Sequence, residues 1–256
     1  MENILIRCSQ IANIMSEPKS KIAKENGEIS QTAKTYLNQL IFEHKYKRRK
    51  DFSNKYIQKG IRTEDDSIHL LNKLHKRLYT KNTERYEDGK ITGEPDIITK
   101  DLIIDIKSTY DFTTHLKKEH IENQYFWQLC GYCRLTGRRK GAIAYVLNNT
   151  PFYIIENEFV SRFYKNGQID LTDQEKAEIA LCHTYSDEYL TEYGYSLGYW
   201  ENLTNQFPTA DVQFIPIPDE KRLRYYEIEF TDEDFIELDE KLKKANNYIT
   251  KNYDKI

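Results

Sequence analysis

The chain has 256 residues, with 38 lysines and arginines against 41 aspartates and glutamates, so its formal net charge is −3. Hydrophobic residues make up 39%, which is enough for a core and too much for a disordered chain. No apolar run approaches the roughly 20 residues of a membrane span, the N-terminus lacks a secretory signal, and four cysteines are too few for a disulfide scaffold. We expect a soluble, intracellular, globular protein.

The charge is distributed unevenly between the two halves of the chain. Residues 1–150 carry 27 basic and 19 acidic side chains, a net of +8, whereas residues 151–256 carry 11 and 22, a net of −11. The basic half contains the run Lys45, Lys47, Arg48, Arg49 and Lys50. Such a cluster is either a footprint for a polyanion or a solvated helix face. The asymmetry favours contact of the first half with a polyanion.

Small polar residues mark the starts of the first predicted helices. A short helix begins at Ser9, and a polar loop follows over residues 18–29. The next helix begins at Ser30, carries Ala33, Leu37, Leu40 and Ile41 at helical spacing, and ends in the basic run at Lys50.

A further helix is predicted from near Ser53 to Leu78. Its apolar residues recur with a period close to 3.6 and are Tyr56, Ile57, Ile61, Ile68, Leu71, Leu74 and Leu78. Gly60 lies inside this pattern, where glycine costs roughly 1 kcal/mol relative to alanine. It predicts either a close approach of another element or a break in the helix.

The periodicity then changes from helical to alternating. Residues 84–92 predict a strand with a turn at Asp88-Gly89, residues 96–98 a second strand, and residues 102–106 a third. Three consecutive strands with short turns predict a β-meander.

The rest of the chain predicts helices and strands in alternation. A helix over residues 119–136 ends at Gly137, and a strand over 142–155 follows, with a break at Asn148-Asn149 as an alternative. Residues 158–207 predict a Tyr-rich, mostly helical insertion, and 224–230 one more strand. Thr231 then caps a final helix whose early acidic residues suit the helix dipole. The order predicts an α/β fold with a mixed central sheet flanked by helices.

The most informative stretch is Gly93-Glu94-Pro95-Asp96, followed after eight residues by Asp105-Ile106-Lys107. Asp105 and Lys107 share one face of a strand because strand side chains alternate. A charge in an otherwise apolar strand is expensive unless it is paired or binds a metal. Two carboxylates on neighbouring strands form a hard oxygen site suited to Mg²⁺ or Mn²⁺, and a nearby lysine suits phosphodiester hydrolysis. The alternative is a structural Asp–Lys pair on an edge strand.

At these residues the sequence resembles the PD-(D/E)xK nuclease superfamily. More narrowly, it resembles the phage lambda exonuclease group, the YqaJ-type viral recombinases. Four segments match in the family's order, and they are KGIRTE with Glu64, GEPDIITKDLIIDIKSTYDF, YFWQLCGYCRLTGRR with Gln128, and RYYEIEFTDEDFIELDEK. The resemblance implies a restriction-endonuclease-like core. We therefore expect one nuclease domain over residues 1–256, with residues 158–207 as a helical insertion.

The resemblance also implies a function and a set of site residues. Glu64, Asp96, Asp105 and the Ile106 carbonyl would hold Mg²⁺ or Mn²⁺, Lys107 would orient a water, and Gln128 would steady Lys107 or the phosphate. The expected DNA-binding residues are Arg7, Ser9, Lys47, Arg48, Arg49 and Ser108.

The implied activity is a 5′→3′ exonuclease of a phage-type recombination system. It would act on double-stranded DNA ends as a ring-shaped homo-oligomer, with a single-strand annealing protein as partner, in the cytoplasm of a bacterial host. An endonuclease on the same core and a non-catalytic DNA-binding or assembly protein are the alternatives.

The sequence departs from the family pattern at several positions. The family usually has Glu where this chain has Asp105, and a phosphate-binding Ser where it has Glu94. A carboxylate there would repel a phosphate unless a cation such as Arg7 or Lys90 offset it; Glu94 could instead join Asp96 at the metal or face solvent. The insertion's aromatic residues could stack on bases, but packing onto the sheet is the favoured interpretation.

Overall fold

The computed structural model describes residues 4–49, 53–166, 170–191, 194–196 and 198–256. The strands are β1 (Ile6–Arg7), β2 (Tyr86–Glu87), β3 (Ile91–Gly93), β4 (Ile97–Ile98), β5 (Leu102–Ser108), β6 (Lys140–Val146), β7 (Tyr189–Thr191), β8 (Gly194–Ser196) and β9 (Leu223–Glu229). The α-helices are α1 (Ile11–Met15), α2 (Lys21–Glu25), α3 (Gln31–Tyr46), α4 (Lys55–Arg62), α5 (Glu64–His75), α6 (Phe112–Leu116), α7 (Asn123–Thr136), α8 (Phe152–Asn166), α9 (Asp173–Leu181), α10 (Tyr199–Thr204), α11 (Asp219–Arg222) and α12 (Asp232–Asn252).

The main sheet has four strands in the order β4-β5-β6-β9. Its two long central strands, β5 and β6, are parallel, while β4 and β9 are antiparallel to their neighbours. A smaller mixed sheet has the order β1-β3-β2, and β7 and β8 form a hairpin. The predicted α/β class, with mixed sheet structure flanked by helices, is confirmed.

Side chains alternate along β5, so the two faces of the main sheet pack into different hydrophobic cores. Ile103 packs with Ile143 and Tyr145 of β6 in a core that also includes apolar residues of α1, α3, α7 and α12. Ile104 and Ile106 point the other way, into a second core with apolar residues of α5. Asp105 and Lys107 therefore share the face covered by α7.

Local capping explains why several predicted helices form where the sequence indicated. The Ser30 side chain accepts a hydrogen bond from the Ala33 amide at 3.0 Å, and α3 begins at the next residue. Thr231 and Asp234 form a reciprocal capping box at the start of α12. Gly137 adopts a left-handed conformation, with φ of 68°, and ends α7.

The predicted meander is wrong in its pairing. β3 does not join β4 but pairs in parallel with β1, so the three predicted strands belong to two sheets. Pro95 lies between β3 and β4 and has no amide to donate, which favours an interruption of the ladder there.

The predicted helix from Ser53 to Leu78 is broken, but not at Gly60. A side chain at Gly60 would meet no atom within 4 Å, so no element approaches closely there. The chain instead bends at Thr63, where φ is −111° and ψ is 14°, and α5 ends at His75. Tight backbone approaches occur instead at Gly93 and Gly131, where an added Cβ would lie 2.5 Å from the Tyr132 ring and from Ile11 Cδ1, respectively.

Three further boundaries differ from the predictions. The loop predicted over 18–29 contains α2, which Ser20 caps, and the residues before α7 include α6, which Asp111 caps through the Thr114 amide. The strand predicted over 142–155 ends at Val146, and the apolar residues after Pro151 form α8. Proline is compatible with the first turn of a helix, and the Pro151 carbonyl accepts from the Ile154 amide.

The segment predicted as an insertion builds a core of its own. Trp200 stacks on Phe214 with ring centroids 5.0 Å apart, and both pack with apolar residues of α8 and α9. Tyr185 is buried, and the Tyr199 hydroxyl donates to the Thr150 carbonyl. Of the predicted aromatic residues, Tyr193 lies outside the described residues. Where described, the aromatic side chains support packing within the fold.

Candidate active site

β5 presents an acid and a lysine on the face that α7 covers. Asp105 is only 1% exposed, and its Oδ2 lies 2.7 Å from the Lys107 Nζ. Lys107 also lies over the Tyr125 ring, with Nζ 4.9 Å from the centroid. The two-residue spacing predicted from the sequence thus forms a direct ion pair within the sheet face.

Asp96 reaches the same strand through its edge. Its Oδ2 accepts a hydrogen bond of 2.6 Å from the Ile106 amide. Extending the β4–β5 register places Pro95 opposite Ile106. The side chain of Asp96 therefore satisfies the strand amide next to Asp105.

α7 supplies the amide that fixes Asp105. The Gln128 Nε2 donates to Asp105 Oδ1 at 3.2 Å and to the Tyr132 hydroxyl oxygen at 2.8 Å. A carboxylate only accepts, so the amide nitrogen must be the atom that faces Asp105. Tyr125, Gln128 and Tyr132 are three and four residues apart and share one helix face.

Glu64 occupies the first position of α5, immediately after the bend at Thr63. The Thr63 hydroxyl lies 3.0 Å from that of Ser108, so the end of β5 holds the bend in place. The Glu64 carboxylate does not join the other two acids directly. Its Oε2 pairs with Lys81 Nζ at 3.1 Å.

These side chains line one open cavity of about 430 Å³. Its polar wall consists of Glu64, Asp96, Asp105, Lys107, Ser108 and Gln128, and its apolar wall includes Tyr56, Ile57 and Ile61 of α4. Those three apolar residues are exposed, although the helical pattern placed them on an apolar face. The structure therefore brings all five predicted catalytic residues to one cavity.

The acids and the lysine shift one another's pKa values. Burial, together with the neighbouring Asp105 carboxylate, raises the pKa of Asp96 to about 8, with Lys107 opposing the shift. Burial alone would lower the pKa of Lys107, but Asp105 and Asp96 outweigh it and raise that pKa. The carboxyl groups in the cavity therefore bring more negative charge than Lys107 alone can balance.

The donor set fits a hard divalent cation. Asp96 and Asp105 offer carboxylate oxygens, and Asp105 Oδ2 is buried with no donor other than the lysine beside it. Burial is the largest cause of the raised pKa of Asp96, and the second cause, repulsion by the Asp105 carboxylate, is one that a cation would offset. Among the described residues, however, no three His, Cys, Asp or Glu side chains are arranged as a ready metal site, because Glu64 turns to Lys81.

Four predicted DNA-binding residues share a second surface groove. Arg7, Lys47, Arg48 and Arg49 line an open cavity of about 380 Å³ beside the N-terminal end of the described chain. Arg7 is already paired with Glu43 at 3.0 Å, which reduces its contribution to a positive surface. Lys47 has a left-handed conformation that ends α3 and carries the chain into the basic run.

Two other predicted DNA contacts lie elsewhere. Ser9 is exposed in the short 3₁₀ turn before α1, and Ser108 lines the active-site cavity. Glu94 pairs with Arg85 at 2.9 Å, so its counter-ion is neither of the two cations considered from the sequence.

The sequence interpretation missed three residues of the site. Tyr125 and Tyr132 carry a detectable signal, since both lie one helical turn from Gln128. Lys81 carries none, because its contact with Glu64 crosses seventeen positions of sequence. Of the four cysteines, Cys8, Cys130 and Cys133 are buried in the core around α7, and Cys182 is exposed.

Comparisons with known proteins agree with this geometry. One similar solved structure is a phage related exonuclease from Haemophilus somnus 129PT, with a TM-score of 0.70 and 26% identity over 99% of this chain and 95% of that chain. Another is an alkaline exonuclease (LHK-Exo) from Laribacter hongkongensis, with a TM-score of 0.60 and 12% identity over 99% and 91%. The same values hold for LHK-Exo in complex with dAMP.

The similarity is detected through structure. No protein-family model and no curated protein sequence matches the chain. In the described residues, no helix is long and apolar enough to cross a membrane.

Proposed function

Because the chain has the fold of the lambda exonuclease-like PD-(D/E)xK nucleases, as its motifs predicted, we propose that it is a metal-dependent deoxyribonuclease. More specifically, we propose a 5′→3′ exonuclease on double-stranded DNA ends. One observation carries the proposal: Asp96, Asp105, Lys107 and Gln128 meet in one open cavity. Asp105 contacts both Lys107 and Gln128 directly, and Asp96 is fixed beside them by the Ile106 amide. The exonuclease relatives support the same reaction class.

Asp96 and Asp105 are the proposed ligands of Mg²⁺ or Mn²⁺, with Glu64 and the Ile106 carbonyl as further ligands. When bound, the ion polarises the scissile phosphate and lowers the pKa of the attacking water. The protein's own contribution is to hold both carboxylates rigid. Asp96 is fixed by the Ile106 amide and Asp105 by Gln128, so neither must reorganise when substrate arrives.

Lys107 is the proposed residue that orients the water and offsets developing negative charge. Its ammonium lies beside Asp105 and above the Tyr125 ring, two contacts that restrict its position. In the metal-free protein the raised pKa keeps it protonated at neutral pH, which fits the proposed role of an electrostatic donor.

The DNA duplex is proposed to cross the positively charged first half of the chain. The groove of Lys47, Arg48 and Arg49 supplies phosphate contacts, with Arg7, Ser9 and Ser108 as additional candidates. By resemblance, we also propose a ring-shaped homo-oligomer and a single-strand annealing partner in a phage-type recombination system. Such a system would act in the cytoplasm of the bacterial host.

Digestion of matched DNA forms tests the proposal. We expect Mg²⁺-dependent loss of linear duplex DNA, no cutting of covalently closed circles, and faster release from 5′ ends. Asp105→Asn keeps the shape of the side chain and removes its charge, so it should abolish hydrolysis while it retains DNA binding. Cutting of closed circles would indicate an endonuclease, and binding without cutting of either form would indicate a DNA-binding protein.

A further inference from the structure

The segment after α5 is fastened to β4, the edge strand of the main sheet that follows Asp96. Lys81 forms an isolated antiparallel bridge with Ile97, and the Asn82 amide donates to the Asp96 carbonyl at 2.7 Å. The Asn82 side chain also donates to the Pro95 carbonyl at 2.9 Å. Three contacts thus hold Lys81 next to Asp96.

The Lys81 side chain is directed toward acids. Its Nζ lies 3.1 Å from Glu64 Oε2, and Asp65 and Asp96 are close enough to help raise its pKa against the effect of burial. Its side chain is 45% exposed, in contrast to Asp105. It therefore touches a proposed metal ligand from a position that a DNA backbone can reach.

The balance of charges around the cavity indicates how the Lys81–Glu64 pair would respond to a bound cation. With their carboxyl groups ionised, as cation binding requires, Glu64, Asp96 and Asp105 carry three negative charges, and Lys107 and Lys81 carry two positive charges. A divalent cation would reverse the net sign, and one phosphate group would then restore neutrality. Since Lys81 already contacts one oxygen of the Glu64 carboxylate, it competes with a cation for that side chain.

We propose that Lys81 is a positioning residue with two partners, Glu64 in the metal-free protein and a DNA phosphate once Glu64 turns to the metal. This inference rests on the proposed nuclease function. It assigns to Lys81 both competition with the cation for Glu64 and a contribution to DNA binding. A purely structural ion pair would have neither property.

The test compares Lys81→Met with Lys81→Arg and with Lys100→Met. Lys100 is an exposed lysine in the turn at the opposite end of the β4–β5 hairpin, so it controls for loss of one positive charge. Mn²⁺ binding to DNA-free protein is measured by electron paramagnetic resonance. Duplex DNA binding is measured in Ca²⁺ over a range of salt concentrations.

For Lys81→Met we expect Mn²⁺ binding about two- to fivefold tighter than in wild type, because a competing partner of Glu64 is gone. We also expect the slope of log K against log salt to become about 0.9 shallower, the value of one phosphate contact. Lys81→Arg should retain the wild-type slope, and Lys100→Met should match wild type in Mn²⁺ binding.

Weaker Mn²⁺ binding by Lys81→Met, or Mn²⁺ binding and a salt slope equal to those of Lys100→Met, would overturn the inference. So would tighter Mn²⁺ binding with an unchanged salt slope, because the phosphate contact is then absent. Hydrolysis by wild type in the same preparation distinguishes failure of the proposed nuclease function from failure of the proposed role of Lys81. No hydrolysis by wild type overturns the proposed function, whereas normal hydrolysis with unaltered Lys81→Met binding overturns only the role of Lys81.

Discussion

Two lysines, Lys107 of β5 and Lys59 of α4, have opposite electrostatic surroundings. Lys107 lies in the active-site cavity beside Asp105 and near Asp96, and its pKa is raised. Lys59 belongs to α4 and is only 1% exposed, and burial lowers its pKa to about 7, against the effect of Asp111. The same residue type is thus held charged in one region and driven toward neutrality in the other.

The contacts explain the difference. Lys59 Nζ donates to the Tyr110 carbonyl at 2.7 Å and lies 5.8 and 5.4 Å from the Tyr110 and Tyr185 ring centroids. Carbonyl dipoles and aromatic faces stabilise an ammonium less than a directly bonded carboxylate does. The Lys59 region therefore joins α4 to the end of β5, while the Lys107 region concentrates charged side chains in the candidate active site.

The largest expected effect is a difference in the rate of DNA hydrolysis between variants of the two lysines. Lys107→Met should lower the rate of DNA hydrolysis about 100- to 1000-fold, because one electrostatic donor is lost at the reacting phosphate. Lys59→Met, the matched substitution, should stay within about tenfold of wild type. Single-turnover hydrolysis of linear duplex measures both. Equal losses in the two variants would show that the two regions do not differ in function.

An intermediate effect concerns stability and pH. The folded pKa of Lys59 is below its unfolded value of 10.5, so between about 7 and 10.5 the unfolded chain binds a proton that the folded chain does not. Lys59 therefore destabilises the fold progressively as pH falls through this window, and the effect levels off below about 7. Relative to wild type, Lys59→Met should gain at least about 1 kcal/mol of unfolding free energy from the top of the window to the bottom.

Urea unfolding of wild type and Lys59→Met at matched pH values gives this difference directly. The comparison between variants cancels the other titrating groups. A difference that stays constant across the window would mean that Lys59 keeps its proton in the folded protein.

The smallest expected effect concerns Tyr110, whose carbonyl and ring contact Lys59. The Tyr110 hydroxyl donates to Glu158 at 2.7 Å, and Glu158 also pairs with Lys55. Tyr110→Phe removes this hydrogen bond and should lower the free energy of unfolding by about 0.5–1.5 kcal/mol. The carbonyl that accepts from Lys59 is unchanged, so the pH dependence should persist. Loss of this pH dependence in Tyr110→Phe would show that the Tyr110 hydroxyl, and not burial, sets the pKa of Lys59.

Much of the candidate site could be predicted because its signals are local. Alternation along β5 places Asp105 and Lys107 on one face, and the motif of the resembled family predicted Gln128, which lies on the face of α7 turned toward Asp105. The pairing of Glu64 could not be predicted, because the sequence carries no signal for its contact with Lys81. The burial of Lys59 was equally hidden, since a lysine between apolar residues of a helix is normally expected in solvent.

By itself, the sequence determined most of the long helices and strands, the caps at Ser30 and Thr231, the stop at Gly137 and the acid-x-lysine strand. Each depends on side chains within about one turn or one strand of the residue concerned. Only the tertiary structure decided that β3 leaves the meander for β1, that the residues after Pro151 form a helix, and which partner each charged group takes. Those outcomes depend on contacts between distant segments, whose free energies outweigh local preference and leave no periodic trace in the chain.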